Sequence, residues 1–178
     1  MNHSLIAVRY AKALFSLSVN NNQLDIIYRD LNLVDHYLKN SSELFSFLTN
    51  PVYKPSQKKK FIHDLLAPHT SPTTINFINV VIDQNRESMI KEIIIDFGDL
   101  YRANKNIRSI KFISATPLSE SFEKEIKDLL SKSYNSEIEL NVEIKQDLLG
   151  GFILMIDGKL MDASLSSQIK KLKKQLIS

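Results

Sequence analysis

The 178-residue chain contains no cysteine, which excludes disulfides, thiolate metal sites and cysteine nucleophiles together and fits a reducing cytoplasm. Glycine occurs only four times. The one pair, Gly150-Gly151, lacks the lysine and hydroxyl residue that would complete a phosphate loop. Its expected use is to let a strand start after a tight bend. No apolar run comes near the ~20 residues needed to cross a bilayer; the longest, Phe152 to Ile156, stops at Asp157. No direct membrane insertion is expected. An amphipathic helix begins a few residues after Met1, so neither a signal peptide nor an Arg-rich transit sequence is expected.

Charge of one sign is also scarce: 23 Lys and Arg stand against 20 Asp and Glu, a net charge of +3. Both signs lie along the same helices, so nucleic acid is not implied. Two lysine runs, Lys58 to Lys60 and Lys170-Lys171 with Lys173-Lys174, lack the interleaved aromatics on which single-stranded nucleic acid would stack. A solvated helix face is the simpler account. A small RNA-binding or ribosome-associated module stays the alternative, and the C-terminal run could instead meet an acidic helix of a partner protein.

His3, His36, His63 and His69 show no metal-ligand spacing. Glu137, Glu139 and Glu143 share one strand face, which a solvated outer surface explains as fully as an acid–base set. Nothing assembles into a catalytic centre, so no enzyme activity, metal or cofactor is expected.

What is present is helical period. With 43% hydrophobic and 24% charged residues the composition is that of a folded globular protein. From Ser4 to about Asn106 apolar residues recur at helical spacing, predicting helices over Ser4 to Asn20, Gln23 to Lys39, Ser42 to Thr49, Ser56 to Leu66, Pro72 to Gln84 and Ser88 to Asn104. After Asn106 the period turns to alternation. Residues 1–106 are therefore read as a six-helix bundle and 107–178 as a small α/β domain.

In that second domain Ile107 to Ala115 predicts a strand, and Ser119 caps a helix bearing Phe122, Ile126, Leu129 and Leu130. Ile138, Leu140, Val142 and Ile144 alternate with polar residues as the dry face of a strand. Phe152 to Ile156 predicts a central strand, Asp157-Gly158 a hairpin turn, and Lys159 to Met161 its return, giving a mixed sheet. Asp162 is expected to cap a last helix with a Leu165, Ile169, Leu172 and Leu176 stripe.

Two helices are apolar over most of their circumference. On the first, Arg9, Lys12 and Ser16 share a narrow strip, while Ala7, Val8, Tyr10, Ala11, Ala13, Leu14, Phe15 and Leu17 cover the rest. On the fifth, Asn76, Asn79 and Asp83 do the same beside Ile75, Phe77, Ile78, Val80, Val81 and Ile82. Either helix alone is explained by burial on several sides in its own bundle. Two in six favour a shared apolar groove for a partner's amphipathic helix, which small Ala7, Ala11 and Ala13 would let approach closely.

Three segments resemble the delta subunit family of F-type ATP synthases, whose mitochondrial counterpart is the oligomycin-sensitivity-conferring protein. Ala7-Val8-Arg9-Tyr10-Ala11-Lys12-Ala13-Leu14-Phe15 is similar to its first-helix signature. Leu48-Thr49-Asn50-Pro51 with Lys58 to Phe61 resembles its third-to-fourth helix junction, and Gly150 to Leu165 its most characteristic segment. The chain departs from the pattern at Ala163, where glycine is usual, and at Ser166, Ser167 and Gln168, where arginines are common.

The resemblance implies a stator subunit without catalysis, held in single copy at the cytoplasmic face of a bacterial plasma membrane. Its N-terminal domain would grip the N-terminal helix of an alpha subunit, and its C-terminal domain would meet the b-type stalk subunits. Carried over by position, the groove would use Ala7, Tyr10, Ala11, Ala13, Leu14 and Leu17 with Ile75, Ile78, Asn79 and Ile82.

Overall fold

Serines placed one to four residues before apolar runs start four of the helices, because their hydroxyls accept otherwise unpaired amide protons. Ser4 accepts from Ile6, Ser41 from Leu44, Ser71 from Thr74 and Ser119 from Phe122. Helix ends fall to asparagine in this glycine-poor chain. Asn22, Asn85, Asn106 and Asn135 all take left-handed φ values between 48° and 54°, where a short polar side chain is the usual substitute for glycine.

The computed structural model describes residues 4–148, 150–156, 159–165, 167 and 169. Its elements run α1 (Leu5–Asn20), α2 (Leu24–Asn40), α3 (Ser42–Thr49), α4 (Pro55–Leu66), α5 (Pro72–Asp83), a 3-10 turn at Glu87–Met89, α6 (Ile90–Lys105), β1 (Ile107–Ser114), α7 (Glu120–Tyr134), β2 (Glu137–Ile144), β3 (Phe152–Ile156) and β4 (Lys159–Asp162). Among the described residues the architecture is thus seven α-helices and one four-stranded mixed sheet, an α plus β fold.

Contacts divide the chain into two compact units between Tyr101 and Arg102, inside the last turns of α6. The change of period at Asn106 marks the end of the helix, a few residues after that division. Arg102 pairs with Glu139 of β2 at 3.5 Å, and Asn106 bonds Asn135, Ser136 and Glu137. The last turn of α6 and the residue after it thus bond to β2 and the residues that lead into it.

In the first unit, helices α1 to α6 contribute to one apolar core containing Ile27, Leu48, Leu66, Val81, Ile93 and Phe97, with Phe15 edge-on to Phe97 at 6.1 Å. Buried Asp30 of α2 accepts from the Ser71 amide at 2.7 Å and the Thr74 hydroxyl at 2.9 Å. This pins the start of α5 and satisfies a charge that burial would otherwise penalise. Lys58 is a correction to the sequence reading. It does not lie on a solvated face: its side chain and that of Glu87 are 5% and 7% exposed and meet at 2.7 Å. Lys59 bonds Asp83 at 2.5 Å.

In the second unit the strand order is β2-β1-β3-β4. β1 and β2 are parallel, joined through α7, and the other pairs are antiparallel. β3 lies between β1 and β4, as its uniformly apolar sequence requires. Ile110, Phe112, Leu130, Ile138 and Leu154 form the core. Ile144, expected on the dry face, is half exposed because β2 is an edge strand and runs past that core. On the opposite face Glu143 binds Lys111 and, at 3.6 Å, Lys145. The hydrogen bond from Lys111 holds its carboxyl below the usual carboxylate range.

Gly150 and Gly151 have φ values of 141° and 79°. A Cβ on Gly151 would stand 2.4 Å from the Ala163 carbonyl oxygen, so the glycines let the chain pass directly against the residues after β4. There Ser164, rather than Asp162, occupies the capping position: its hydroxyl accepts from the Ser167 amide at 3.3 Å. Asp162 instead accepts from the Ser164 amide at 2.9 Å and the Ser167 hydroxyl. The expected turn at Asp157-Gly158, the stripe residues Leu172 and Leu176, and the C-terminal lysines lie outside the described residues.

Candidate partner-binding surface

At 100° per residue α1 presents two apolar stripes, and burial tells them apart. Ala7, Ala11 and Leu14 face the core at 0–1% exposure. Ile6, Tyr10, Ala13 and Leu17 form a second stripe about a quarter-turn or more away. In it Ile6 and Tyr10 are half-buried, and Ala13 and Leu17 are exposed. α5 repeats the arrangement. Ile75, Ile78, Val81 and Ile82 point inward, whereas Thr73, Phe77, Val80 and Gln84 line one flank, with Val80 50% exposed.

The two flanks meet. The Tyr10 and Phe77 rings pack edge to face at 6.4 Å, and Thr73 bonds Gln23, just past the end of α1, at 2.9 Å. Ile6, Arg9, Tyr10, Lys12 and Ala13 share an open concavity of ≈ 600 Å³ with Gln84 and Arg86. The start of α5 thus lies by the end of α1 and the end of α5 by its start. The helices run antiparallel, with Tyr10 against Phe77 between them and the concavity at one end of the furrow they frame.

Of the ten residues expected to line a groove, Tyr10 and Ala13 line this concavity, and Leu17 is exposed on the same side of α1. Ala7, Ala11, Leu14, Ile75, Ile78 and Ile82 do neither. At 0–6% exposure they are the bundle's own core, and no partner reaches them unless the helices part. Asn79 lies one turn before Asp83, which bonds Lys59 of α4, and so occupies the flank away from α1. Its buried Oδ1 has no hydrogen-bond partner. Ile6 and Gln84 line the concavity as well, and Phe77 packs on Tyr10.

The lysine run of α4 has little left for phosphates, since Lys58 and Lys59 are engaged with Glu87 and Asp83. The RNA-binding alternative loses the support it drew from that run. Among the described residues, no helix is long and apolar enough to cross a membrane.

Residues 6–176 match the family described as ATP synthase delta (OSCP) subunit. The ATP synthase subunit delta of Symbiobacterium thermophilum is 30% identical over 178 residues, covering 100% of this chain and 95% of its own length. The chloroplastic subunit delta of Emiliania huxleyi is 33% identical over 168 residues, covering 94% and 93%. Among solved structures, a chain of the Toxoplasma gondii mitochondrial ATP synthase hexamer superposes with a TM-score of 0.78 at 27% identity, over 98% of this chain and 99% of that one. With a full-length family match and the same fold across both units, the chain belongs to the ATP synthase delta (OSCP) subunit family.

Proposed function

We propose that this delta-family chain is a non-catalytic stator subunit, present once per rotary ATP synthase on the cytoplasmic face of the membrane. Residues 1–106 would act as a six-helix bundle that seats the amphipathic N-terminal helix of an alpha subunit in the furrow between α1 and α5. Residues 107–178 would meet the b-type peripheral stalk. The rotor drags on the catalytic head, and a tether of this kind lets the head resist that torque. Its work is binding.

The observation that carries the reading is a pair of flanks only partly used by the core: half-buried Ile6 and Tyr10 with exposed Ala13 and Leu17 on α1, and half-buried Thr73 and Phe77 with exposed Val80 on α5. A helix laid there would bury an area in the standard range of ~1,200–2,000 Å², with the Tyr10–Phe77 pair as a central aromatic anchor. The test is titration of the full-length chain with a synthetic alpha-subunit N-terminal peptide. Saturable binding is expected from the native sequence, and a loss of at least ~10-fold in affinity from Tyr10→Asp, because a desolvated carboxylate would sit in the furrow. Equal affinity of the two proteins would reject the furrow.

A further inference from the structure

The concavity where α1 begins and α5 ends carries charge of one sign. Arg9 and Lys12 of α1 and Arg86, just beyond α5, stand around its mouth with neutral Gln84, and no carboxylate lines it. The sequence and the packing both produce this imbalance. α1 has no acidic residue. The single carboxylate of α5, Asp83, is taken by Lys59 at 2.5 Å, and Glu87 is taken by Lys58 at 2.7 Å. The lysines of α4 thus neutralise the nearest acids. Arg9, Lys12 and Arg86 have no ion-pair partner among the described residues.

The backbone of Arg86 is also held in place. Its amide donates to the Val81 carbonyl at 3.0 Å, closing the turn that ends α5 after left-handed Asn85. At the other end of the furrow, the chain neighbours of Leu17 and Thr73 are Ser16, Ser18, Pro72 and Thr74, all uncharged.

We infer that the partner helix carries acidic side chains concentrated at the end that seats between Arg9 and Arg86, and that these carboxylates set its rate of docking and the direction in which it lies. This rests on the α1–α5 furrow being the docking site. Three uncompensated cations within one small mouth attract a negative helix end before contact is made. Rim charges of this kind act mainly on association and its salt dependence, while apolar contacts govern dissociation. A helix with its acids at the opposite end would gain nothing from them.

The experiment is stopped-flow association of the full-length chain with the alpha-subunit N-terminal peptide at low and high salt, where the screening length falls from ~30 Å to a few ångströms. The association rate is expected to fall by roughly 10-fold or more across that range, with dissociation changing less than about 3-fold. Arg9→Gln with Arg86→Gln, both at exposed positions, should start slow and lose most of the salt dependence. A peptide whose carboxylates are replaced by amides at the docking end should behave alike, and one with its acids moved to the other end should also associate slowly. Salt-independent association, an unaltered rate in the double variant, or indifference to the placement of the acids would each overturn the inference while leaving the furrow intact. No binding by the native chain at any salt would instead remove the furrow reading, and this inference with it.

Discussion

Leu14 and Leu17 are one helical turn apart on α1 and should behave oppositely when mutated. Leu14 is 1% exposed and Leu17 45%. Leu14→Ala removes three carbons from a fully enclosed position of the first unit's core, so transfer and cavity terms together should cost ~2–5 kcal/mol. For a unit of about 100 residues that lowers the melting temperature by roughly 10–25 °C. Leu17→Asp exchanges one solvent-facing side chain for another and should stay within about ±0.5 kcal/mol. Yet it places a carboxylate on the furrow wall and should weaken the alpha-subunit peptide by ~10-fold or more. Thermal melts of the full-length variants followed by far-ultraviolet circular dichroism, with peptide titrations of the same samples, separate the effects. Had Leu14 been part of the docking surface and Leu17 part of the core, the melting shifts would be exchanged, and that result would refute the assignment of the two stripes.

Lys58→Met strands Glu87 in a nearly dry site and should cost ~3–5 kcal/mol, while Lys58→Met with Glu87→Leu should recover most of it; chemical denaturation of both variants decides. Gly151→Ala forces a Cβ to 2.4 Å from the Ala163 oxygen at a φ of 79°. It should destabilise the sheet unit by about 1–3 kcal/mol or more, read from faster amide exchange in β3 and β4. An NMR titration should find Glu143 ionising below the ordinary carboxylate range and Lys111→Met moving it back up, because the Lys111 hydrogen bond is the leading cause. A depressed folded-state value means the contribution is present above the unfolded carboxylate pKa and is lost as pH falls through the folded one. A Glu143 titration unaffected by Lys111→Met would contradict that cause.

The elements were largely legible because their punctuation is local. Serine caps, the prolines opening α4 and α5, and asparagines at helix ends place the boundaries within a residue or two, and alternation marks β2. Parallel pairing of β1 with β2 and the strand order are set by non-local contacts that no window of sequence contains. The furrow was legible only in outline. Periodicity shows that α1 and α5 have more than one apolar side, but a core stripe and a partly exposed stripe have the same composition. Only packing shows that Leu14 is consumed and Leu17 is not. Asn79 came from the resemblance and not from the period, which puts it on the polar strip with Asp83, the partner of Lys59. The burial of Lys58 was invisible for a similar reason: its partner, Glu87, is 29 residues away.

The most direct test is to titrate isotopically labelled full-length chain with the alpha-subunit N-terminal peptide and follow backbone and methyl NMR shifts. The largest changes should fall on Ile6, Tyr10, Ala13, Leu17, Thr73, Phe77 and Val80, with β3 and β4 undisturbed. Binding that perturbs the sheet unit while leaving those seven residues unchanged would contradict the account.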